Sequence, residues 1–218
     1  MEKTKDFTEG NILPQLLSFV FPVLLALFLQ SMYGAVDLLV VGQFAVAEDV
    51  SAVSTGSQIL HSITTVITGL AMGITVLVGQ RIGEKRPEQA GEAIGNGICL
   101  FGVIALIITV IMVLGSEVAA TIMHAPAEAY EQTVAYIRIC TAGTVFIVAY
   151  NLLGSIFRGI GDSKMPLITV AIACVVNIVG DLILVAVFHM GAAGAAYATV
   201  LAQAVSVVLS LLIISKRK

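Results

Sequence analysis

Two carboxylates, Asp37 and Asp181, stand inside long apolar stretches of the chain. If those stretches cross a membrane, an ionised aspartate near the middle costs about 2.5–3.5 kcal/mol on insertion scales. A protonated carboxyl, or a carboxylate that holds a cation, avoids much of this cost. These residue types at these positions therefore predict a site that takes up and releases a proton or a small cation.

Neutral oxygen ligands are predicted beside both carboxylates. Asn177 precedes Asp181 by four residues, so the two side chains share one helix face. At ~1.5 Å per residue, Asp37 and Asp181 both fall in the outer half of their spans, and Thr199 lies about 9 Å below the outer end of the last span. Two carboxylates that interact titrate as a coupled pair. The alternative for Asp37 is an interfacial residue that simply faces water.

Other polar side chains recur at helical spacing, as expected along a cavity wall. Gln30, Tyr33 and Asp37 share a face of the first span, and Thr199 and Gln203 share a face of the last. The second span carries a stripe of polar or small residues: Ser57, His61, Thr64, Thr68, Met72, Thr75 and Gly79. Such a stripe either lines a pathway or holds helices together, and the sequence favours neither.

Several other kinds of chemistry have no residue support in the sequence. It contains no nucleotide-binding loop, no metal-spaced His/Cys cluster and no plausible Ser/His/Asp arrangement. Cys99, Cys140 and Cys174 fall inside predicted spans, where they are expected to be small buried apolar residues. We therefore expect no enzyme, no catalytic residue, no cofactor and no nucleic acid partner, and we expect an ion gradient as the energy source.

The elements that position these residues follow from composition. The 218 residues are 58% hydrophobic and 11% charged, and the mean hydropathy is +1.02. A membrane-spanning helix needs about 20 mostly apolar residues. Six such windows are predicted at 14–41, 53–79, 90–114, 131–157, 165–188 and 193–214. The sequence thus predicts an all-α protein with a six-helix transmembrane unit at 14–214, embedded in a lipid bilayer.

The distribution of basic residues sets the orientation, because lysine and arginine beside spans remain on the cytoplasmic side. Of the 11 basic residues, only Arg138 falls on the opposite side, within reach of Glu117 or Glu131. The remaining ten lie on one side: Lys3, Lys5, Arg81, Lys85, Arg86, Arg158, Lys164, Lys216, Arg217 and Lys218. We therefore predict cytoplasmic segments at 1–13 and 215–218, with both termini inside.

Several stretches together resemble the multidrug and toxic compound extrusion (MATE) family, and in particular its DinF-like branch. The matching features are Pro22, Gln30, Asp37, Val41 and Gly42 in order, the segments 79–83, 125–126, 136–139 and 158–166, and Asn177 with Asp181. The resemblance implies a multi-pass protein of a prokaryotic plasma membrane that exports amphipathic or cationic drugs or metabolites by antiport.

The resemblance also implies roles for individual residues. Asp37, Asp181, Asn177 and Thr199 would bind the coupling ion, H+ or Na+, and no other metal is expected. The substrate cleft would be lined by Gln30, Tyr33, Asn151 and Gln203.

The length of the chain departs from the family pattern of twelve helices in two facing lobes. This sequence accounts for one amino-terminal lobe, so the partner would be a second six-helix lobe, from a missing carboxy-terminal half or from a second copy of the chain. The alternative functions are a lipid-linked precursor flippase, expected to carry more basic residues in its central cavity, and a non-transporting fragment or subunit.

Overall fold

The computed structural model describes residues 11–216, apart from the side chains of Ile12 and Tyr33. Most of the predicted cytoplasmic segment 1–13, and residues 217–218, lie outside the described residues. The described part is helical and contains no strand. Its α-helices are α1 Ile12–Phe44, α2 Ala47–Gly83, α3 Pro87–Leu114, α4 Ser116–Ile122, α5 Tyr130–Ala142, α6 Thr144–Gly159, α7 Lys164–Asp181 and α8 Gly191–Lys216.

Two short segments of other helical geometry complete the chain. A 3₁₀ turn, Ala127–Ala129, follows Pro126 and leads into α5. A π-helical segment, Leu182–Val187, continues directly from α7. Within residues 11–216, five helices are long and apolar enough to cross a membrane, and the number is six when the bent pair of α5 and α6 is taken as one span. The prediction of an all-α membrane protein with six spans is confirmed.

The fourth span differs from its prediction as one continuous helix over 131–157. The chain bends by 50° between α5 and α6, at Gly143. A Cβ at Gly143 would lie 2.6 Å from each methyl group of Val200 in α8, so only a glycine allows this approach. The hydroxyl of Thr141 also donates to the Ile137 carbonyl at 2.7 Å, a bond that bends helices. Contact with α8 and this local bond together account for the break.

The outer surface of the bundle is apolar, as a hydrocarbon solvent requires. In α1, Leu13, Leu17, Phe21, Leu24 and Phe28 are each 58% to 69% exposed. The buried core instead contains small residues and a few large ones, among them Tyr136 and Phe101. The described helices therefore leave much of α1 uncovered.

Part of the polar stripe on α2 forms hydrogen bonds that hold this helix against α6. The Thr75 hydroxyl donates to the Ser155 carbonyl at 3.0 Å, and the Thr68 hydroxyl donates to Asn151 Oδ1 at 2.9 Å. Ser57 donates to the Ser54 carbonyl of its own helix at 3.1 Å. At Thr68 and Thr75 the stripe joins α2 to α6.

Polar contacts hold the outer ends of the helices. Asp49, near the start of α2, accepts a hydrogen bond from the Ala192 N–H at the start of α8, at 2.9 Å. Gly191 adopts φ +54°, and a Cβ there would collide with the Asp49 carboxylate. Arg138 pairs with Glu117 at 3.3 Å, the first of the two partners that the sequence allowed. These contacts join elements that are far apart in sequence.

Replacing Gly56 by alanine should destabilise the bundle, because the new Cβ would overlap the buried ring of Tyr136. Overpacking of this kind costs about 1–3 kcal/mol. Gly69→Ala is the matched control on the same helix, since nothing lies within 4 Å of its Cβ position. Thermal unfolding in detergent should show a lower midpoint for Gly56→Ala and little change for Gly69→Ala. Equal midpoints would contradict the packing described at Tyr136.

Candidate functional site

The two predicted carboxylates are buried inside the bundle. Asp37 lies in the outer part of α1 and is 3% exposed, whereas Asp181 is the last residue of α7 and is 0% exposed. The Asp181 carboxyl lies beside the Asp37 carboxyl, close enough for the two groups to interact. This placement excludes the alternative in which Asp37 simply faces water.

A chain of hydrogen bonds joins three helices around the carboxylates. The Thr199 hydroxyl of α8 donates to Asp37 Oδ2 at 3.0 Å. The Asn177 amide of α7 donates to the same hydroxyl oxygen at 3.4 Å. One hydroxyl group therefore serves as donor to α1 and acceptor from α7. The structure brings together all four residues predicted for this site.

Four oxygens of the site accept no hydrogen bond from any described residue. They are Asp37 Oδ1, Asn177 Oδ1, Asp181 Oδ1 and Asp181 Oδ2. Leaving a buried acceptor unsatisfied costs about 1–3 kcal/mol, and more when it carries charge. Acceptors concentrated in one place are the arrangement that a proton or a hard cation would satisfy.

The protein supplies no countercharge to the pair. Across residues 11–216, no lysine, arginine or histidine lies within salt-bridge distance of Asp37 or Asp181. Arg138 is paired with Glu117 near the outer surface, and Arg158 lies in the last turn of α6. Since two adjacent carboxylates repel each other, their charge has to be balanced by something other than a basic side chain.

Small residues and the π segment position the site. A Cβ at Gly180 would lie 2.9 Å from the Cβ of Ala198, so α7 and α8 approach closely beside Asn177 and Thr199. The π segment begins immediately after Asp181 and changes the direction of the following side chains. Single π turns inside helices occur often at functional sites. The sequence pattern gave no indication of this segment.

Two further residues lie beside the carboxylates and were not predicted as site residues. Tyr136 and Cys140 of α5 are one helical turn apart and face the pair. Both are buried, and the Tyr136 ring packs on Gly56 of α2. Their spacing of four residues places them on one face of α5, which is the only signal of this role in the sequence.

Two of the four residues predicted to line a substrate cleft lie in the wall of one cavity. Gln30 and Asn151 line a cavity of about 90 Å³ between α1, α2, α6 and α7. Gln203 is absent from the described lining of this cavity, and its Oε1 is buried without a partner among the described residues. The side chain of Tyr33 lies outside the described part of the structure.

The side chains described at the site provide mainly oxygen donors. No group of three or more His, Cys, Asp or Glu side chains is arranged there to hold a metal ion. The site consists instead of carboxylate, amide and hydroxyl oxygens, which suit a proton or a hard monovalent cation.

Apolar helices that enclose a buried carboxylate pair define a multi-pass helical membrane protein with an oxygen-lined polar site in its interior. The family model MatE matches residues 22–183. The chain therefore belongs to the MatE family, and its resemblance to MATE proteins is confirmed.

Relatives with assigned names agree with this membership. The chain is 30% identical over 216 residues to the probable multidrug resistance protein YpnP of Bacillus subtilis, covering 99% of this chain and 48% of that protein. It is 24% identical over 200 residues to the multidrug export protein MepA of Staphylococcus haemolyticus, covering 92% and 44%. The chain thus spans about half the length of these relatives.

Solved MATE structures also match nearly all of this chain and a little less than half of their own length. The crystal structure of MATE in the bent conformation matches with a TM-score of 0.87 and 26% identity, over 92% of this chain and 45% of that chain. The outward-facing conformation of a multidrug resistance MATE family transporter matches with a TM-score of 0.84 and 26% identity, over 90% and 43%. The fold is therefore that of half a MATE transporter.

Removing the Thr199 hydroxyl should destabilise the site, because Asp37 Oδ2 would lose its donor and Asn177 its acceptor. We expect Thr199→Val to lower the free energy of unfolding by about 1–3 kcal/mol. Thr199→Ser keeps the hydroxyl and is the matched control. Thermal unfolding of both variants in detergent measures the difference. A valine variant as stable as the serine variant would show that these bonds contribute nothing.

Proposed function

We propose that this chain forms one lobe of an ion-coupled exporter of amphipathic, often cationic small molecules. The observation that carries the proposal is the buried pair of Asp37 and Asp181, which has four unpartnered oxygens and no basic partner among the described residues. A site of this kind can exchange a cation with each side of the membrane in turn. Such exchange is what a gradient-driven transporter requires.

The location of the pair couples ion occupancy to helix position. Asp37 belongs to α1, Asn177 and Asp181 belong to α7, and Thr199 belongs to α8. Without a cation, repulsion between the carboxylates favours separation of α1 from α7. With a proton or Na+ between them, the three helices are held together. A ligand that binds one arrangement better shifts the population toward it.

The ligand set is compatible with H+ or with Na+. Six oxygens are available, namely both oxygens of Asp37, both of Asp181, Asn177 Oδ1 and Thr199 Oγ1. A proton would be shared between the two carboxyl groups, whereas Na+ would be coordinated by several of the six oxygens. Imposing one gradient at a time across reconstituted vesicles distinguishes the two ions.

The exported compounds are proposed from the relatives, which are named as multidrug resistance or export proteins. Gln30 and Asn151 remain predicted lining residues of the substrate cleft, of which the small cavity that they share would be one recess. Tyr33 and Gln203 remain predicted members of the same cleft. We place the protein in the plasma membrane of a prokaryote, as its bacterial relatives suggest.

A second six-helix lobe would complete the cleft, since the matched structures are about twice as long as this chain. That lobe comes either from further sequence or from a second copy. Light scattering of the 22.8 kDa chain in detergent separates these cases. A mass of two chains supports a second copy, and a mass of one chain supports a lobe of different sequence.

Substituting either carboxylate should abolish coupling, because a neutral amide cannot exchange a proton and binds Na+ weakly. We expect Asp37→Asn and Asp181→Asn to reduce gradient-driven ethidium export from proteoliposomes by about tenfold or more. Proton uptake or Na+ binding by the purified chain should fall in parallel. The latter measurement does not depend on the second lobe.

Glu128→Gln is the control, since Glu128 is an exposed acid in the connection before α5. It should export ethidium at the unmodified rate. Undiminished export by Asp37→Asn at equal reconstitution would refute the mechanism. Failure of the unmodified chain to export dye or to bind either cation would favour a non-transporting subunit.

A further inference from the structure

Arg158 lies in the last turn of α6, and its side chain folds back into the bundle. Sequence patterning placed this residue in a cytoplasmic loop, with its charge in water. In the structure, its Nη2 donates to Ser155 Oγ at 2.8 Å, one turn earlier in the helix. A Cβ at Gly154 would lie 3.3 Å from Nη1, so the missing side chain makes room for the guanidinium. The charge therefore points away from the cytoplasm.

The guanidinium forms part of the wall of the cavity that also contains Gln30 and Asn151. Tyr150 and Thr169 contribute further polar groups, and the rest of the lining is apolar or small, such as Leu27 and Val170. No acidic residue is among the lining residues. The cavity therefore carries one positive charge and no negative charge.

No nearby carboxylate neutralises Arg158 in the part of the chain that the structure describes. None lies within salt-bridge distance of the guanidinium. Asp162, the acid four residues further on, accepts a hydrogen bond from the Met165 N–H at 3.1 Å. An arginine held in a mostly apolar cavity without an anion is costly, and guanidinium geometry matches carboxylate and phosphate. No described acid therefore supplies a counterion to Arg158 in this cavity.

Depth and size restrict the kind of anion. Pro166 and Thr169 line the cavity from the first two turns of α7, so its inner end, where Arg158 lies, is within about 10 Å of the predicted cytoplasmic end of that helix. Its volume of about 90 Å³ is well below the roughly 300–1,000 Å³ of drug-sized sites. Leu27 and Met72, at 48% and 50% exposed, open it to the surface of the bundle.

We propose that this cavity binds the phosphate or carboxylate head group of an anionic amphiphile from the cytoplasmic leaflet, with Arg158 as its principal ligand. The charged group enters the cavity, and the hydrocarbon tail stays at the apolar surface beside Leu27 and Met72. The inference rests on Arg158 and its surroundings. It does not depend on ion binding at Asp37 and Asp181, which lie in the outer half of the bundle.

Retention of lipid by the purified chain tests this proposal. The chain is incubated in a neutral detergent with phosphatidylglycerol or phosphatidylcholine, and native mass spectrometry counts the bound lipids. The unmodified chain should prefer phosphatidylglycerol. Arg158→Gln should lower its affinity for that lipid by about tenfold, the usual worth of one charge-assisted hydrogen-bonded contact. Arg158→Lys should retain part of the preference.

Arg138→Gln is the matched control, because it also removes one positive charge but at the outer, exposed pair with Glu117. It should leave the lipid preference unchanged. Ala26→Leu provides a second test if Arg158→Gln does not fold, since it fills the cavity from α1 while the charge remains. It should also abolish the preference.

Competition by inorganic phosphate identifies the source of the anion. If phosphate displaces phosphatidylglycerol, the anionic group alone supplies the affinity. If it does not, the acyl chains contribute to binding at the same site. Equal retention of the two lipids by the unmodified chain would overturn the proposal. So would a phosphatidylglycerol preference that survives Arg158→Gln, or that survives Ala26→Leu.

Discussion

The burial of two adjacent carboxylates without a basic partner is the constraint on which the described structure depends most. Helices in lipid satisfy their own backbone groups, so buried side chains decide how the helices meet. Here Asp37 meets Asp181, and Thr199 connects them to Asn177. The first helix, α1, thus converges with the consecutive helices α7 and α8 on one set of oxygens.

Small residues and a local bend make this convergence possible. Gly180 lets α7 approach Ala198, and Gly143 lets the bent span approach Val200, both on α8. Gly56 accepts the ring of Tyr136, which places a buried tyrosine beside the carboxylates. In a membrane, close backbone approach replaces hydrophobic burial as the main source of helix association. The glycines therefore act as determinants of the site as well as of the packing.

The outer and inner halves of the lobe contain buried side chains of opposite charge. Its outer half contains a carboxylate pair and its inner half contains a cavity with a single arginine. Ala26 of that cavity and Asp37 are eleven residues apart on α1, or about 16 Å. Charge patterning assigned Arg158 to the cytoplasmic side, because it treats each helix end as facing water. The inner cavity therefore contains a positively charged side chain, whereas the outer site that the sequence indicates contains two acidic side chains.

The sequence by itself determined the number of spans, their orientation and the pairing of Asp37 with Asp181 as site residues. These follow from composition, the side on which basic residues lie and the rarity of acids in apolar runs, which are properties of local segments. Only the tertiary structure decided the bend at Gly143, the place of Tyr136 in the site and the inward direction of Arg158. The bend and the place of Tyr136 depend on which distant helix lies opposite, whereas the direction of Arg158 depends on the conformation of a long side chain at a helix end. Neither propensity nor periodicity carries that information.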